Sequence, residues 1–374
     1  MGAVTTCARA EQQDGASVSA AHTAGASPDA SAPHGRVTGL DAARALAIVG
    51  MVAVNIGPLY DDGIAGLVMR LPHGRASLLF VLLAGIGYSL LTRRARDGGA
   101  LPWGQVLWRT VLLSLIGLST QLAGHGSDVI LTTYAVLFLV GLVVVRAPSG
   151  LLLTASIVAV AAGPLVWLGV QLRTGEVFDR EPATMLDAPG QIVASTLLTG
   201  PYPVITWLAP FLFGMWLGRL RLHDRWVQIR LTVAAVVLTL IAELGSRVLE
   251  VFLGRPGREP AVDWFLSAAA HSQMPLWLIR GSASAVAVLA LTLLVLPYLG
   301  RFGWPLVATG QLALTVYVVH LFAIAQVVRP GPQTAQDGLA ITAVMALVLV
   351  GAAVAWRHFF SRGPLEAALR LWRR

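Results

Sequence analysis

The chain has 374 residues, of which 56% are hydrophobic and only 12% charged, and its mean hydropathy is +0.71. A water-soluble domain carries about 25% charged residues, so this composition excludes a soluble globule and, over most of the length, a disordered chain. The net charge of +8 rests on 27 basic residues with no lysine among them. In a soluble protein such a balance would point to nucleic acid; here the arginines fall in short loops between apolar runs, the pattern of membrane orientation, and no nucleic-acid partner is expected.

Residues 1–35 are rich in Ala, Ser, Gly and Asp and contain no apolar run. They read as a disordered cytoplasmic tail without the apolar segment of a signal peptide, and His22 and His34 in it read as solvated. Cys7, the single cysteine, allows no intramolecular disulfide. From Leu40 onward, apolar runs alternate with short polar loops. The cores are 38–57, 76–92, 106–123, 129–146, 150–171, 191–218, 231–253, 275–298, 304–328 and 338–356. A bilayer crossing needs roughly 20 such residues. The expected fold class is therefore all-α: a polytopic integral membrane protein with about ten transmembrane helices. The 191–218 run contains Pro201, Pro203 and Pro210 and is expected to break near "GPYPVITW".

Orientation follows from arginine. With the termini inside, the inner segments hold sixteen arginines: 36, 93, 94, 96, 109, 146, 219, 221, 225, 230, 301, 357, 362, 370, 373 and 374. The outer segments hold eight: 70, 75, 173, 180, 255, 258, 280 and 329. This bias predicts a multi-pass protein of the cell (cytoplasmic) membrane with both termini cytoplasmic. Three loops, 57–75, 172–190 and 254–274, carry most of the acidic residues, including Asp61, Asp62, Glu176, Glu181, Glu259 and Asp263. The basic C-terminal "LEAALRLWRR" reads as an amphipathic segment on the inner leaflet. The expected partners therefore include membrane lipids.

In the first span, "GLDAARALAIVGMVAVN", Asp41 and Arg44 stand three apart and can pair on one helix face. Asn55 follows eleven residues later on the same face, about 16 Å along the axis. This is a polar stripe facing a cavity, or a snorkelling arginine with an asparagine gluing helices together. Four histidines fall at the outer ends of spans: His73 in "RLPHGRASLLF", His125 in "GHGSD" three residues before Asp128, His271 in "HSQMP", and His320 in "GQLALTVYVVHLF". No serine or cysteine nucleophile motif is present, so these are the candidate catalytic residues, as general bases or acyl carriers; taken singly each also reads as a hydrogen-bonded structural residue. No HxxH or HExxH spacing occurs, and no metal is expected. Glu243 and Arg247 form an i,i+4 pair inside the seventh span, followed by Glu250: a functional charge or a self-neutralising pair. Gln311 and Thr315, four apart, extend a polar stripe in the ninth span. The loop "GRLRLHDRWVQIR" is an orientation signal or a site for phosphates such as those of coenzyme A.

These segments carry a family resemblance. "GLDAARALAIVGMVAVN" resembles the first-span signature LDxxRGxAxxxMxxxN of heparan-alpha-glucosaminide N-acetyltransferase-like proteins, with Ala45 in place of the glycine. "HGRASLLFVLLAGIGYSL", "ILTTYAVLFLVG", "TGPYPVITWLAPFLFGMWLGRL" and "GQLALTVYVVHLF" resemble later spans, and "FSRGPLEAALR" resembles the C-terminal motif of YeiB-like bacterial membrane proteins. The likeness covers 36–374 and implies a transmembrane acyltransferase-like domain there. It implies transfer of an acetyl or other acyl group from acetyl-CoA or another acyl-CoA to an amino sugar or polysaccharide of the envelope. It implies an essential histidine, matched by loop position to His73. On that chemistry, the polar face of the first span, with Asp41, Arg44 and Asn55, is expected to line the acyl-CoA path. Acyltransferase-three enzymes instead place a histidine eleven residues after the first-span arginine. Here that position is Asn55, which leaves an outer histidine to act. The rivals are a transporter or exporter without covalent chemistry, to which a broken span and intramembrane charges also belong, and a non-catalytic membrane partner.

Overall fold

A computed structural model describes residues 36–254, 256–257 and 261–373; the expected tail at 1–35, with Cys7, His22 and His34, and also Arg255, Arg258 and Glu259, lie outside the described residues. The described residues form helices and no strand: α1 (Thr38–Ile56), α2 (Gly63–Arg70), α3 (Arg75–Leu91), α4 (Arg93–Arg96), α5 (Trp103–Gln121), α6 (Leu131–Val144), α7 (Ser149–Thr174), α8 (Pro189–Ala194), α9 (Val204–Leu217), α10 (Arg225–Leu253), α11 (Pro275–Leu299), α12 (Trp304–Gln311), α13 (Ala313–Ala323), α14 (Ala335–Phe359) and α15 (Pro364–Ala368). All-helical structure is what lipid enforces on runs of Ala, Leu and Val, because each backbone N–H must find its partner within the segment.

Helix occupies all ten predicted cores, but length and apolarity divide them. Six are long and apolar enough to cross a membrane: Thr38–Ile56, Gly63–Leu91, Ser149–Thr174, Arg225–Leu253, Pro275–Gln311 and Ala335–Phe359. Counting the pair Pro189–Thr199 and Val204–Leu217, bent by 60° at the predicted GPYP break, as one span gives a seventh. The remaining three fall short of the sequence expectation. Helix α6 has 14 residues, about 21 Å at 1.5 Å per residue against a hydrocarbon core of about 30 Å. Helix α13 runs 11 residues and continues only through a short π-helical stretch to Val328. Helix α5 carries Gln105, Arg109, Thr120 and Gln121, which dilute its apolar character.

The chain nevertheless shuttles between two ends. At one end, Arg329 Nε donates to the His125 carbonyl (2.7 Å) and the Ala335 N–H donates to Asp61 Oδ2 (2.7 Å). At the other, Arg146 Nη2 donates to the Gly99 carbonyl (3.0 Å), and Arg219 donates to the Ala147 (2.6 Å) and Val145 (3.1 Å) carbonyls. Arg219 thus serves the orphan carbonyls that α6 leaves at its C-terminus. Within the basic loop, read from sequence as an orientation signal or a phosphate site, Asp224 caps α10 by accepting from the Trp226 N–H. Small residues let the central helices touch: a Cβ on Gly85 of α3 would meet the Phe211 carbonyl of α9, and one on Gly214 of α9 would meet the Leu82 carbonyl of α3. Phe80 stacks on both Tyr134 and Tyr317, tying α3, α6 and α13 together.

Glu243 is held across helices as well as along its own. Arg247 donates to Oε1 (3.2 Å), and Arg280 of α11 donates to Oε2 (2.7 Å) and to the Ala268 carbonyl (2.7 Å). Helix α10 is largely unburied, so this clasp and its contact with α11 hold it to the bundle.

Two sequence expectations change at the ninth core. Leu312 interrupts the helix between α12 and α13, so Gln311 and Thr315 do not form one continuous stripe. The break leaves N–H groups at the start of α13 without helical partners. Glu366 of α15 supplies them: Oε1 accepts from the Leu314 (2.8 Å) and Thr315 (3.0 Å) N–H groups, and Oε2 accepts from Thr315 Oγ1 (2.6 Å). Trp108 Nε1 donates to the Ala368 carbonyl (2.8 Å), so the C-terminal segment is fastened to protein at α5 and α13. Glu366→Ala is expected to cost about 2 kcal/mol of stability, the scale of a lost charged cap. Thermal unfolding in detergent measures it, and an unchanged midpoint would rule the cap out.

Candidate functional site

The stripe on α1 divides between the two ends. Asp41 is buried and Arg44 Nη1 donates to its Oδ1 at 2.6 Å, so the sequence-derived pair forms. The Arg44 guanidinium lies against Gly87 of α3. Three turns later Asn55 reaches the opposite end. Its Nδ2 lies 3.2 Å from Nε2 of the buried His320, and with the amide donating, the imidazole accepts. Arg329 Nη2 donates to the Asn55 carbonyl (3.3 Å). Asn55 is thus fixed from two sides. Oδ1 and the second amide hydrogen have no hydrogen bond among the described residues.

Those groups border a narrow pocket lined by Asn55, Ser77, Asp128, Tyr202, His271 and Tyr317, with Met51, Pro72 and Gly74 beside them. The first span, the start of α3, the α5–α6 loop, the broken span, the loop before α11 and α13 all meet here.

The four histidines separate into different roles. His125 is buried, its Nδ1 accepts from the Ser127 N–H (3.1 Å), and Nε2 therefore donates to the Thr120 carbonyl (3.0 Å). Both nitrogens close its own loop, and burial holds the imidazole below its usual pKa, Arg329 adding to the effect. His320 is buried at Asn55. His73 and His271, by contrast, stand with ring centroids 5.6 Å apart, and neither ring has a hydrogen bond among the described residues. His271 lies within an aromatic enclosure, its ring 5.5 Å from Trp277, 5.8 Å from Tyr202 and 6.1 Å from Trp207. Burial pushes its pKa down to about 3, with the neighbouring His73 and Arg180 contributing, so it is neutral near pH 7. Tyr60 covers His73 edge-on at 6.1 Å.

The loop carrying His271 is held in an uncommon backbone shape. Arg180, His271 and Gln273 have φ of +59°, +58° and +65°, the positive values among described non-glycine residues. All three meet here, since Arg180 Nη1 donates to the His271 carbonyl (2.8 Å). Buried Gln273 anchors the loop. Its Oε1 accepts from Thr206 Oγ1 (2.8 Å) and Trp207 Nε1 (3.0 Å), and its Nε2 donates to the Pro201 carbonyl (3.0 Å). Backbone held in this region costs of order 1 kcal/mol per residue and marks a place where surrounding structure dictates conformation.

Sequence reasoning passed over Asp128, Gln273 and Arg329. Asp128 is solvent-accessible, as a residue lining a cleft is, yet the protein around it withholds hydration and raises its carboxyl pKa. It has no hydrogen bond or ion pair among the described residues. Its signal was a lone acid in a short turn between two spans. Gln273 and Arg329 gave no local signal, because their partners are residues remote in sequence.

The family model for heparan-alpha-glucosaminide N-acetyltransferase, catalytic, matches residues 36–255, more than half of the chain. A second family model, a protein of unknown function (DUF418), matches residues 221–374. The first covers α1 to α10 and with them Asn55, His73, Asp128 and Tyr202; the second covers His271, Tyr317 and His320. No curated protein matches the chain.

Proposed function

Because the chain belongs to the heparan-alpha-glucosaminide N-acetyltransferase family, an acetyltransferase-like family, we propose that it moves an acetyl or other acyl group from acyl-CoA to a sugar of the envelope or an exported sugar. The observation that carries this reading is the pocket at Asn55, where a residue held at its amide by His320 and at its backbone carbonyl by Arg329 lines the same small space as His271 and Tyr317.

The residues present suit the donor. Arg44, with part of its side chain accessible, lies toward one end of the α1 face and Asn55 at the other, about 16 Å apart. Arg221, Arg225 and Arg230 are exposed at the Arg44 end and suit phosphates. In this reading the CoA portion enters from the Arg44 side, taken as cytoplasmic on the arginine bias, and the thioester reaches the pocket. Acyl-CoA supplies the activated acyl carbon. The second Nδ2 hydrogen of Asn55 donates to the acyl oxygen as it gains negative charge, a role that neutral preorganised donors perform well. His73 takes a proton from the acceptor, and the neutral His271 ring packs against His73 and orients it. His125 and His320 shape the site without reaching the acceptor.

Acyl transfer from labelled acetyl-CoA by purified protein in proteoliposomes is the test. His73→Ala is expected to lose at least 100-fold in transfer, the scale of a general base. His125→Ala is expected to lower the unfolding midpoint while folded protein keeps its turnover. A His73→Ala protein with full transfer removes His73 from the scheme. Absence of any thioester cleavage by folded wild-type protein would favour the transporter reading, to which the 60° break in the Pro189–Leu217 span would then belong.

A further inference from the structure

We propose that Asp128 is a catalytic residue of this site: it binds the acceptor's reacting group as a cation and removes the first proton from it. The inference rests on the acyl-transfer reading for its chemistry, but its geometry stands apart from it. Asp128 lines the pocket together with Asn55, His271, Tyr202 and Tyr317. Asp128 is exposed to the pocket, so its carboxylate is open to a ligand rather than sealed within the protein. Arginine is abundant in this chain, and Arg329 is close enough to bond the carbonyls of His125 and Gly126 in the same loop. Yet no ion pair or hydrogen bond reaches the Asp128 carboxylate among the described residues.

The surroundings strengthen the case. The other titratable groups lining the pocket are Tyr202, Tyr317 and His271, and His73, its pKa also lowered by burial and Arg75, stands beside His271. His125, in the same loop as Asp128, has both ring nitrogens committed to its own loop. None of these is a cation near pH 7: the tyrosines are phenols, and burial keeps His271 and His125 below their usual range. The negative charge therefore lacks a resident counter-ion among the groups lining the pocket, and Tyr202, Tyr317 and His271 line the same space. A carboxylate bordered by aromatic rings is a combination that binds ammonium groups. Desolvation also raises its proton affinity, which a proton acceptor needs and which the depressed His271 lacks.

An amine acceptor arrives as R–NH3+ and pairs with the Asp128 carboxylate. One N–H bond breaks and the proton passes to a carboxylate oxygen, leaving the nitrogen lone pair free. The nitrogen attacks the acyl carbon of the thioester, the C–N bond forms, and the C–S bond breaks with its electron pair leaving on sulfur as CoA thiolate. The second proton on nitrogen passes to His73. Two protons leave the nitrogen, and the site has two groups to receive them.

The test uses detergent-purified full-length protein, with glucosamine as the cationic probe and glucose as its neutral counterpart. Titration calorimetry at pH 7 is expected to show glucosamine binding at least tenfold tighter than glucose in the wild type. Asp128→Asn is expected to erase that preference and lower acetyl transfer roughly 100-fold, and Asp128→Glu to restore part of both. The wild type alone gives a second measurement that needs no variant: glucosamine binding should weaken on acidification as the carboxylate protonates, with glucose binding unchanged. An Asp128→Asn protein within twofold of wild type in binding and transfer overturns the proposal, as does wild type with no preference for the cation. Asp128-dependent glucosamine binding without any transfer would instead leave Asp128 as a cation site and sink the acyl-transfer reading.

Discussion

Asn55→Ala is expected to lower acyl transfer by roughly 10²–10³-fold, the range found when one donor to a developing oxyanion is removed. The size follows from how tightly the amide is set. Asn55 belongs to the last turn of α1, its carbonyl is held by Arg329 (3.3 Å), and its amide by His320 (3.2 Å). A donor fixed in this way needs no reorganisation when charge develops, so its removal acts on the transition state rather than on donor binding. The measurement is a split between kcat and KM: kcat should fall while the KM for acetyl-CoA stays within about threefold. Stability will also fall, by about 1–3 kcal/mol, because the buried His320 Nε2 loses its partner. Thermal unfolding run beside the assay separates the two effects. Transfer within threefold of wild type would remove Asn55 from the reaction.

Acidification supplies the second large effect. His271 has a pKa of about 3 in the folded protein against 6.5 for the free side chain. Between those values the unfolded chain binds a proton that the folded protein refuses, so unfolding free energy rises with pH across that window. Stability is therefore full above pH 6.5 and is lost progressively as pH falls toward 3. At 1.36 kcal/mol per unit the ceiling for this one group is about 4–5 kcal/mol. His125 shifts in the same direction. Asp128 shifts oppositely in effect: its raised pKa makes the folded state the better proton binder at low pH, which offsets part of the loss. The contribution of His271 is isolated by comparison with His271→Phe, which keeps a ring in the aromatic enclosure but cannot titrate. Between pH 7.5 and pH 4 the unfolding midpoint of the wild type should fall further than that of the variant. Parallel curves would show that His271 is solvated in the folded protein.

The first span shows how far residue spacing reaches. Asp41, Arg44 and Asn55 lie on one face because 3.6 residues per turn put them there, and the Asp41–Arg44 pair forms as the spacing dictates. The break at GPYP was legible for the same local reason, since clustered prolines cannot sustain a helix ladder. The break at Leu312 was not. It contains no proline or glycine of its own, and it is sustained by Glu366, a carboxylate more than 50 residues away in sequence. The role of Arg219 was illegible for a related reason: it reads as a surface charge until the carbonyls at the end of α6 are seen beneath it.

By itself the sequence determined the class of protein, the positions of its helices and the family, because these depend on apolar content, on helical periodicity and on short ordered motifs. Only the tertiary structure decided which of the four histidines stand together. Spacing places each of them at a helix end but says nothing about which neighbour that end meets, nor whether its ring nitrogens are taken by nearby carbonyls, as in His125. The same holds for Asp128, whose lack of a counter-ion is a property of the residues around it. It holds again for Gln273, whose three partners lie in the broken span some 70 residues earlier. Local periodicity fixes a side chain's face on its own helix; the pocket arises where six remote segments turn their faces toward one another.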